Sequence, residues 1–416
     1  MSSSQPFTFA ILGCGNRGEM FATWLAEHPH AGRVAAVADP VEQRRAKIAA
    51  QHHLGATRQF ASWEELLDQP KLADAVICTL MDRLHAPAAL RALEQGYHML
   101  LEKPMAIKLE DCIAVDAARR RNNRIVSVCH SLRYHAVYTE VKRLIAGGAI
   151  GRLITFDQLE GVDPIHQAHS FVRGNWANES RSCFALMSKS CHDLDILAYL
   201  VDVECRRVAS FGSLTHFRRE NAPPGATPRC TDGCGAEPSC PYSALKIYIA
   251  PAAGWYHQAA GFAGMPLEQR LEQLRTGPYG RCAYLADNDV IDHQVVALEF
   301  ADQITGTFTV TAFAPLGRQM RIHGTLGQIH ANIEANTVEL LRFEDRAVTK
   351  IDLTPQAGTH GGGDSNVMDN LIVAMRTGNP TAVLTTTAES LRTHRIVFAA
   401  EQSRREGRIV SLQENA

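Results

Sequence analysis

Phe7-Thr8-Phe9-Ala10-Ile11-Leu12-Gly13-Cys14-Gly15-Asn16-Arg17-Gly18 decides how the rest of the chain is read. Six β-prone apolar residues run into a Gly-x-Gly-x-x-Gly turn, and a helical pattern opens near Gly18. In that order the glycines have distinct jobs. Gly13 permits the tight turn, Gly15 lets backbone approach a pyrophosphate, and Gly18 lets helix pack on strand. The unpaired N–H groups at the helix start, around Asn16 and Arg17, attract the anion. Asp39 ends the next apolar run, 21 positions after Gly18 (39 − 18). A carboxylate there accepts from the ribose hydroxyls and repels a 2′-phosphate, so NAD is expected over NADP. Arg44 and Arg45 keep the phosphorylated form open.

Working outward, short apolar runs at Val34–Ala38, Ala75–Thr79, His98–Leu101 and Ile125–Cys129 alternate with helical segments. One places Met20, Phe21, Trp24 and Leu25 on a single face. Another, Pro87–Gln95, stops at Gly96. Alternation of this kind predicts an α/β domain over 1–131, a Rossmann-type doubly wound parallel sheet. Beyond it the pattern changes. A helix at Ala136–Ala146 and the Gly147-Gly148 break lead into Leu153–Leu159, which alternates as a half-buried strand. A helix at about His192–Val201 follows, then strand-like runs at Val208–Leu214, Val290–Phe300, Gly306–Ala312, Met320–His323, Gln328–Ile333 and Val338–Leu341. Two closing helices, about Ser365–Arg376 and Thr386–Arg405, complete an α+β domain over 132–416 with a large, mostly antiparallel open sheet. Residues 215–289 break the pattern as an irregular, Cys-rich insertion.

Composition excludes several classes. The 416 residues suit two or three domains, and 42 Lys+Arg against 44 Asp+Glu give a net charge of −2. That balance excludes a nucleic-acid or anionic-membrane binder working by bulk charge. The 11 cysteines are too sparse for a secreted disulfide scaffold. No basic, apolar leader precedes Phe7, and no apolar run reaches the roughly 18 residues of a membrane span. A cytoplasmic protein with reduced thiols is expected.

Two more motifs follow the third and fourth strands: Thr79-Leu80-Met81-Asp82-Arg83-Leu84-His85 and Glu102-Lys103-Pro104. With the glycine motif, and with Gly148-Ala149-Ile150-Gly151 entering the second domain, the chain resembles the glucose–fructose oxidoreductase / inositol dehydrogenase (Gfo/Idh/MocA) family over nearly its whole length. The resemblance implies that Lys103 sits beside the nicotinamide and the reacting carbinol. An ammonium there stabilises alkoxide character as hydride leaves. Thr79, His85 and Glu102 become cofactor-side positions. His192, in Ser188-Lys189-Ser190-Cys191-His192-Asp193-Leu194-Asp195, matches the family histidine that acts as general base. The family's aspartate position holds Ser188 instead, with Lys189, Asp193 or Asp195 as compensating charges. His130 and Arg133, in His130-Ser131-Leu132-Arg133-Tyr134, fall on an element that faces cofactor or substrate. The family often forms homodimers or homotetramers, and an open sheet face suits that.

A polar cluster follows the first strand of the second domain: His166, His169, Arg173, Asn175, Trp176 and Arg181. Solvated cations and structural histidines are the bland reading. The functional one is a pocket for a polyhydroxylated, anionic ligand gripped by arginine and stacked on tryptophan. His293 is a similar candidate. Cys230, Cys234, Cys240 and Cys282 in the insertion suit a structural zinc site, with an iron–sulfur cluster, free thiols or a disulfide as alternatives.

The expected function is therefore NAD-dependent hydride transfer at a carbinol of a sugar, polyol or glycoside. Lys103 polarises the oxygen and His192 handles the proton. A redox-neutral glycosidase, oxidising and eliminating transiently on acidic glycosides such as sulfoquinovosides, is the second reading. A nucleotide-responsive regulator with a dead site is the third.

Overall fold

The computed structural model describes residues 5–249, 255–356 and 359–412. It divides into two compact units. The first comprises residues 1–139, 191–199 and 354–395, and the second 140–190, 200–353 and 396–416.

The first unit is built on a six-stranded parallel sheet in the order β3-β2-β1-β4-β5-β6. Its strands are β1 (Phe7–Leu12), β2 (Gly32–Ala38), β3 (Gln59–Phe60), β4 (Ala75–Cys78), β5 (His98–Leu101) and β6 (Val126–Val128). Residues 9–12 and 75–78 are wholly buried, as strands covered on both faces must be. The helix Asn16–Glu27 buries Phe21, Trp24 and Leu25 on one face, the i, i+3, i+4 spacing of an amphipathic helix. The fourth strand's helix starts at His85 rather than Pro87. β3 was not expected, because two residues carry no periodicity; pairing with Val37 and Ala38 makes them a strand.

The second unit carries a nine-stranded sheet in the order β14-β13-β12-β11-β7-β10-β9-β8-β15. It comprises β7 (Leu153–Gly161), β8 (Cys205–Ser213), β9 (His293–Phe300), β10 (Thr305–Thr311), β11 (Gly317–Gly324), β12 (Gly327–Asn332), β13 (Thr337–Arg342), β14 (Val348–Asp352) and β15 (Val410–Ser411). All neighbours are antiparallel except β10 and β7. In β9, Gln294, Val296, Leu298 and Phe300 are buried while the residues between them are not, the period of two that marks a sheet with one packed face. β14 and β15 were not anticipated; both are short and polar. Among the described residues, the insertion between β8 and β9 holds the α-helices Ala244–Tyr248, Trp255–Ala259 and Leu267–Thr276. Among the described residues, no helix is long and apolar enough to cross a membrane.

Candidate active site

The glycine turn sits at the C-terminal edge of the parallel sheet. Gly13 has φ +93°, and a Cβ on it would stand 2.6 Å from the Thr79 carbonyl oxygen. A Cβ on Gly18 would stand 2.0 Å from the Gly13 carbonyl oxygen, whereas one on Gly15 would meet nothing within 4 Å. Gly13 and Gly18 thus serve the fold, and Gly15 faces open space that a side chain would fill. Thr79 braces the turn, its hydroxyl donating to the Gly13 carbonyl at 2.6 Å. Asp39 is buried, accepting from the Cys14 N–H at 2.7 Å and the Val41 N–H at 2.8 Å. Arg45 donates to the Asp39 backbone carbonyl at 3.1 Å. The open glycine, the helix start at Asn16 and the carboxylate on the turn fit a dinucleotide's pyrophosphate and ribose.

The ends of β5 and β6 are cross-tied. Arg17 reaches Glu102 at 2.5 Å and forks onto Asp364 at 2.7 and 2.9 Å. Its side chain is therefore a strut. Ser131 also donates to Asp364, at 2.5 Å. Glu102 accepts the Lys103 N–H at 3.0 Å. Both His85 ring nitrogens face carbonyls, of Pro104 at 2.7 Å and Leu80 at 2.9 Å, so the ring pins the loop after β4 against the Glu-Lys-Pro turn. Burial pushes the Cys191 thiol up to about 12 and the His130 imidazole down, and Lys103 is among the charges that act on both.

Cys191 opens the helix that carries His192 and Asp195. His192 is buried, with Nε2 3.5 Å from an Asp193 carboxylate oxygen. Arg133 donates to Asp195 through Nε at 2.7 Å and Nη2 at 2.8 Å, and Thr393 adds a hydroxyl at 2.9 Å. Burial alone would raise the Asp195 pKa, but Arg133 holds it down at about 2. His130 is completely buried, and neither ring nitrogen has a hydrogen-bond partner among the described residues. Its Nδ1 lies 4.0 Å from Asp195, and burial pushes its pKa down. The first unit thus brings Lys103, His130, Arg133 and the start of the His192 helix together. Asp364 was not foreseen: it lies 347 residues from Arg17, and no local pattern marks it.

The second unit disposes its candidates differently. Arg173 is almost wholly buried. It donates to the Arg281 and Tyr242 carbonyls at 2.7 Å each, holding the insertion in place. His169 is buried, hydrogen-bonded to the Tyr248 hydroxyl at 2.7 Å and stacked on Tyr279. Burial pushes its pKa down to about 4. Trp176 is half-buried and 6.3 Å from the Phe171 ring. His293 is part-exposed, with Nδ1 2.8 Å from Asp292. Lys189 lies 3.0 Å from the buried Glu160, which also meets Arg318 at 3.1 Å. His166 packs edge-on to Trp255, ring centroids 4.8 Å apart.

The zinc expectation is not met. Cys230, Cys234, Cys240 and Cys282 line one cavity of about 10 Å³. Yet among the described residues no three His, Cys, Asp or Glu side chains are grouped so as to hold a metal ion. Among the described residues, the 11 cysteines form no disulfide. Cys230 instead meets the Ala244 N–H at 3.4 Å and Arg173 at 3.9 Å, contacts that a sequence spacing does not reveal.

A dinucleotide cradle on a parallel sheet, followed by a second unit with an open sheet, defines a two-domain oxidoreductase class. Residues 7–130 match the oxidoreductase family's NAD-binding Rossmann fold, and residues 142–412 its C-terminal alpha/beta domain. The chain belongs to the Gfo/Idh/MocA oxidoreductase family. It is 23% identical over 319 residues to the putative oxidoreductase YteT of Bacillus subtilis, covering 72% of each chain. It is 27% identical over 208 residues to the B. subtilis scyllo-inositol 2-dehydrogenase (NAD(+)), covering 49% of this chain and 57% of that one. It thus spans little more than half the length of that relative. Among solved structures, a levoglucosan dehydrogenase in complex with NADH and levoglucosan superposes with a TM-score of 0.73 at 20% identity, covering 99% of this chain and 100% of the other.

Proposed function

We propose that this protein is an NAD-dependent oxidoreductase acting on a secondary carbinol of a sugar or polyol. The observation that carries the reading is the dinucleotide cradle, the open Gly15 beside the buried Asp39, in a chain that also supplies Lys103 and His192. Both groups are supplied by the first unit, which also holds the glycine turn. The dehydrogenases of inositol and levoglucosan among its relatives point to the same substrate class.

Asp39 would hold the adenosine ribose hydroxyls, and the N–H groups around Gly15 and Asn16 would hold the pyrophosphate. Bound nicotinamide supplies the hydride acceptor. Lys103 donates a hydrogen bond to the carbinol oxygen and favours its alkoxide character. His192 takes the hydroxyl proton, and the Asp193 carboxylate stabilises the imidazolium that results. The products are a carbonyl compound, NADH and one proton.

The test is turnover on a panel of sugars, polyols and glycosides at limiting NAD, with NADH and released aglycone followed together. NADH should accumulate in step with carbonyl product. Lys103→Ala should abolish turnover and leave NAD binding intact; unchanged turnover removes Lys103 from the chemistry. Many aglycones released per NAD, with no net NADH, would replace this reading with a redox-neutral glycosidase.

A further inference from the structure

We infer that Asp364 is a positioning residue for Lys103, acting through Arg17 and Glu102. The inference rests on the proposed oxidoreductase reading for what Lys103 does, and all four residues belong to the first unit.

The contacts run without a break. Asp364 takes both terminal nitrogens of Arg17, Oδ1 accepting from Nη2 at 2.7 Å and Oδ2 from Nη1 at 2.9 Å. A guanidinium is planar and its donors are fixed relative to one another, so this grip sets where Nε points. Nε donates to Glu102 Oε1 at 2.5 Å. The other carboxylate oxygen, Oε2, accepts the Lys103 N–H at 3.0 Å. The Cys129 thiol, which burial keeps protonated, also donates to Glu102. The residues after Lys103 are tied separately. The Pro104 carbonyl faces His85 Nδ1 at 2.7 Å, and the Met105 N–H donates to His394 Nε2 at 3.0 Å. Asp364 therefore bears on the turn through the Lys103 N–H, and so on the backbone from which the Lys103 side chain springs.

The sequence before Asp364 is suited to delivering it. Gly361-Gly362-Gly363 precedes it. A Cβ on Gly361 would stand 2.4 Å from His135 Nε2, and one on Gly363 would stand 2.4 Å from the Ser131 carbonyl oxygen. Bare backbone lets the start of the helix Gly363–Thr377 lie directly on the segment after β6. Asp364 is buried there, and the Ser131 hydroxyl donates to its Oδ1 at 2.5 Å. Burying a carboxylate is costly, and packing this helix does not by itself call for one. Aiming a guanidinium does.

The experiment uses the NAD-loaded full chain with two variants and their combination. Asp364→Asn keeps the shape of the side chain and an acceptor for Ser131 but removes the charged fork. Arg17→Lys keeps the charge but loses the planar geometry. Exchange of the Lys103 amide hydrogen is read first, without any sugar, in a peptide spanning residues 102–104; Pro104 has no amide to confuse it, and β1 amides serve as the reference. Each variant should speed Lys103 exchange roughly tenfold relative to β1, the worth of one charge-assisted hydrogen bond. With the sugar or polyol that turns over best, each should lower kcat roughly 10- to 100-fold, the order expected when a reacting group is misplaced by about 1 Å. KM and NAD affinity should stay within about threefold. The double variant should lose no more than either single one, because both cut the same chain. A purely structural Asp364 lowers the melting temperature and leaves Lys103 exchange and kcat unchanged. That result, or losses in the two variants that multiply, overturns the inference. If no sugar or polyol is oxidised but Lys103 exchange depends on Asp364, the oxidoreductase reading fails and the positioning of Lys103 by Asp364 stands.

Discussion

Arg133 grips Asp195 with two hydrogen bonds, 2.7 Å from Nε and 2.8 Å from Nη2, and both side chains are almost wholly buried. The pair fastens the start of the His192 helix to the segment after β6, 62 residues earlier in the chain. Breaking it from one side strands a charge in the core. Arg133→Ala or Asp195→Ala should therefore cost about 3–5 kcal/mol of stability, read by urea unfolding. A loss under 1 kcal/mol would show that the helix is held by other contacts.

Acid should destabilise the protein in two stages. Burial lowers the His394 pKa from 6.5 to about 3. The unfolded chain thus binds this proton below about pH 6.5 and the folded chain does not. Stability falls as pH drops through that window, by about 2 kcal/mol at pH 5 for this group alone. Asp195, held at about 2 against an ordinary 3.8, contributes fully above pH 4 and loses its contribution as pH falls toward 2. Unfolding free energies of wild type and His394→Gln between pH 8 and 4 should converge toward acid; parallel curves would dismiss the histidine's part.

Gly15 and Gly18 should respond oppositely to alanine. Gly15 has φ −72° and an open Cβ direction, so Gly15→Ala should change stability by no more than about 0.5 kcal/mol. It should weaken NAD binding at least tenfold by filling the space the pyrophosphate needs. Gly18→Ala drives a Cβ into the Gly13 carbonyl and should lower the melting temperature of the ligand-free protein. Calorimetric NAD titration beside thermal unfolding separates the two, and intact NAD affinity in Gly15→Ala would contradict the assigned site.

Asp39 should govern the choice of dinucleotide. Asp39→Ser removes the charge that repels a 2′-phosphate, while Arg45 remains at the Asp39 carbonyl. NAD affinity should fall and NADP affinity rise, shifting their ratio at least tenfold. An unchanged ratio would assign the discrimination to another residue.

Local rules made much of the first unit legible. The glycine turn, Asp39 and the alternating runs depend on residues close in sequence, and β1 and β5 fall where periodicity places them. The nine-stranded sheet was readable in its long, alternating members and not in β14 and β15, whose few polar residues become strands by pairing with a neighbour. The cysteine spacing resembled a metal site, but spacing does not specify where four thiols point.

The sequence by itself determined the dinucleotide cradle and the parallel and antiparallel character of the two sheets. Each is written in turn chemistry or in a period of 2 or 3.6. Tertiary structure alone decided that residues 191–199 and 354–395 join the first unit, and that Arg17 spends its charge on Glu102 and Asp364. It also decided that Glu160 lies between Lys189 and Arg318. These partners are tens to hundreds of residues apart, and only the burial of the chain around its sheets brings them within hydrogen-bonding distance.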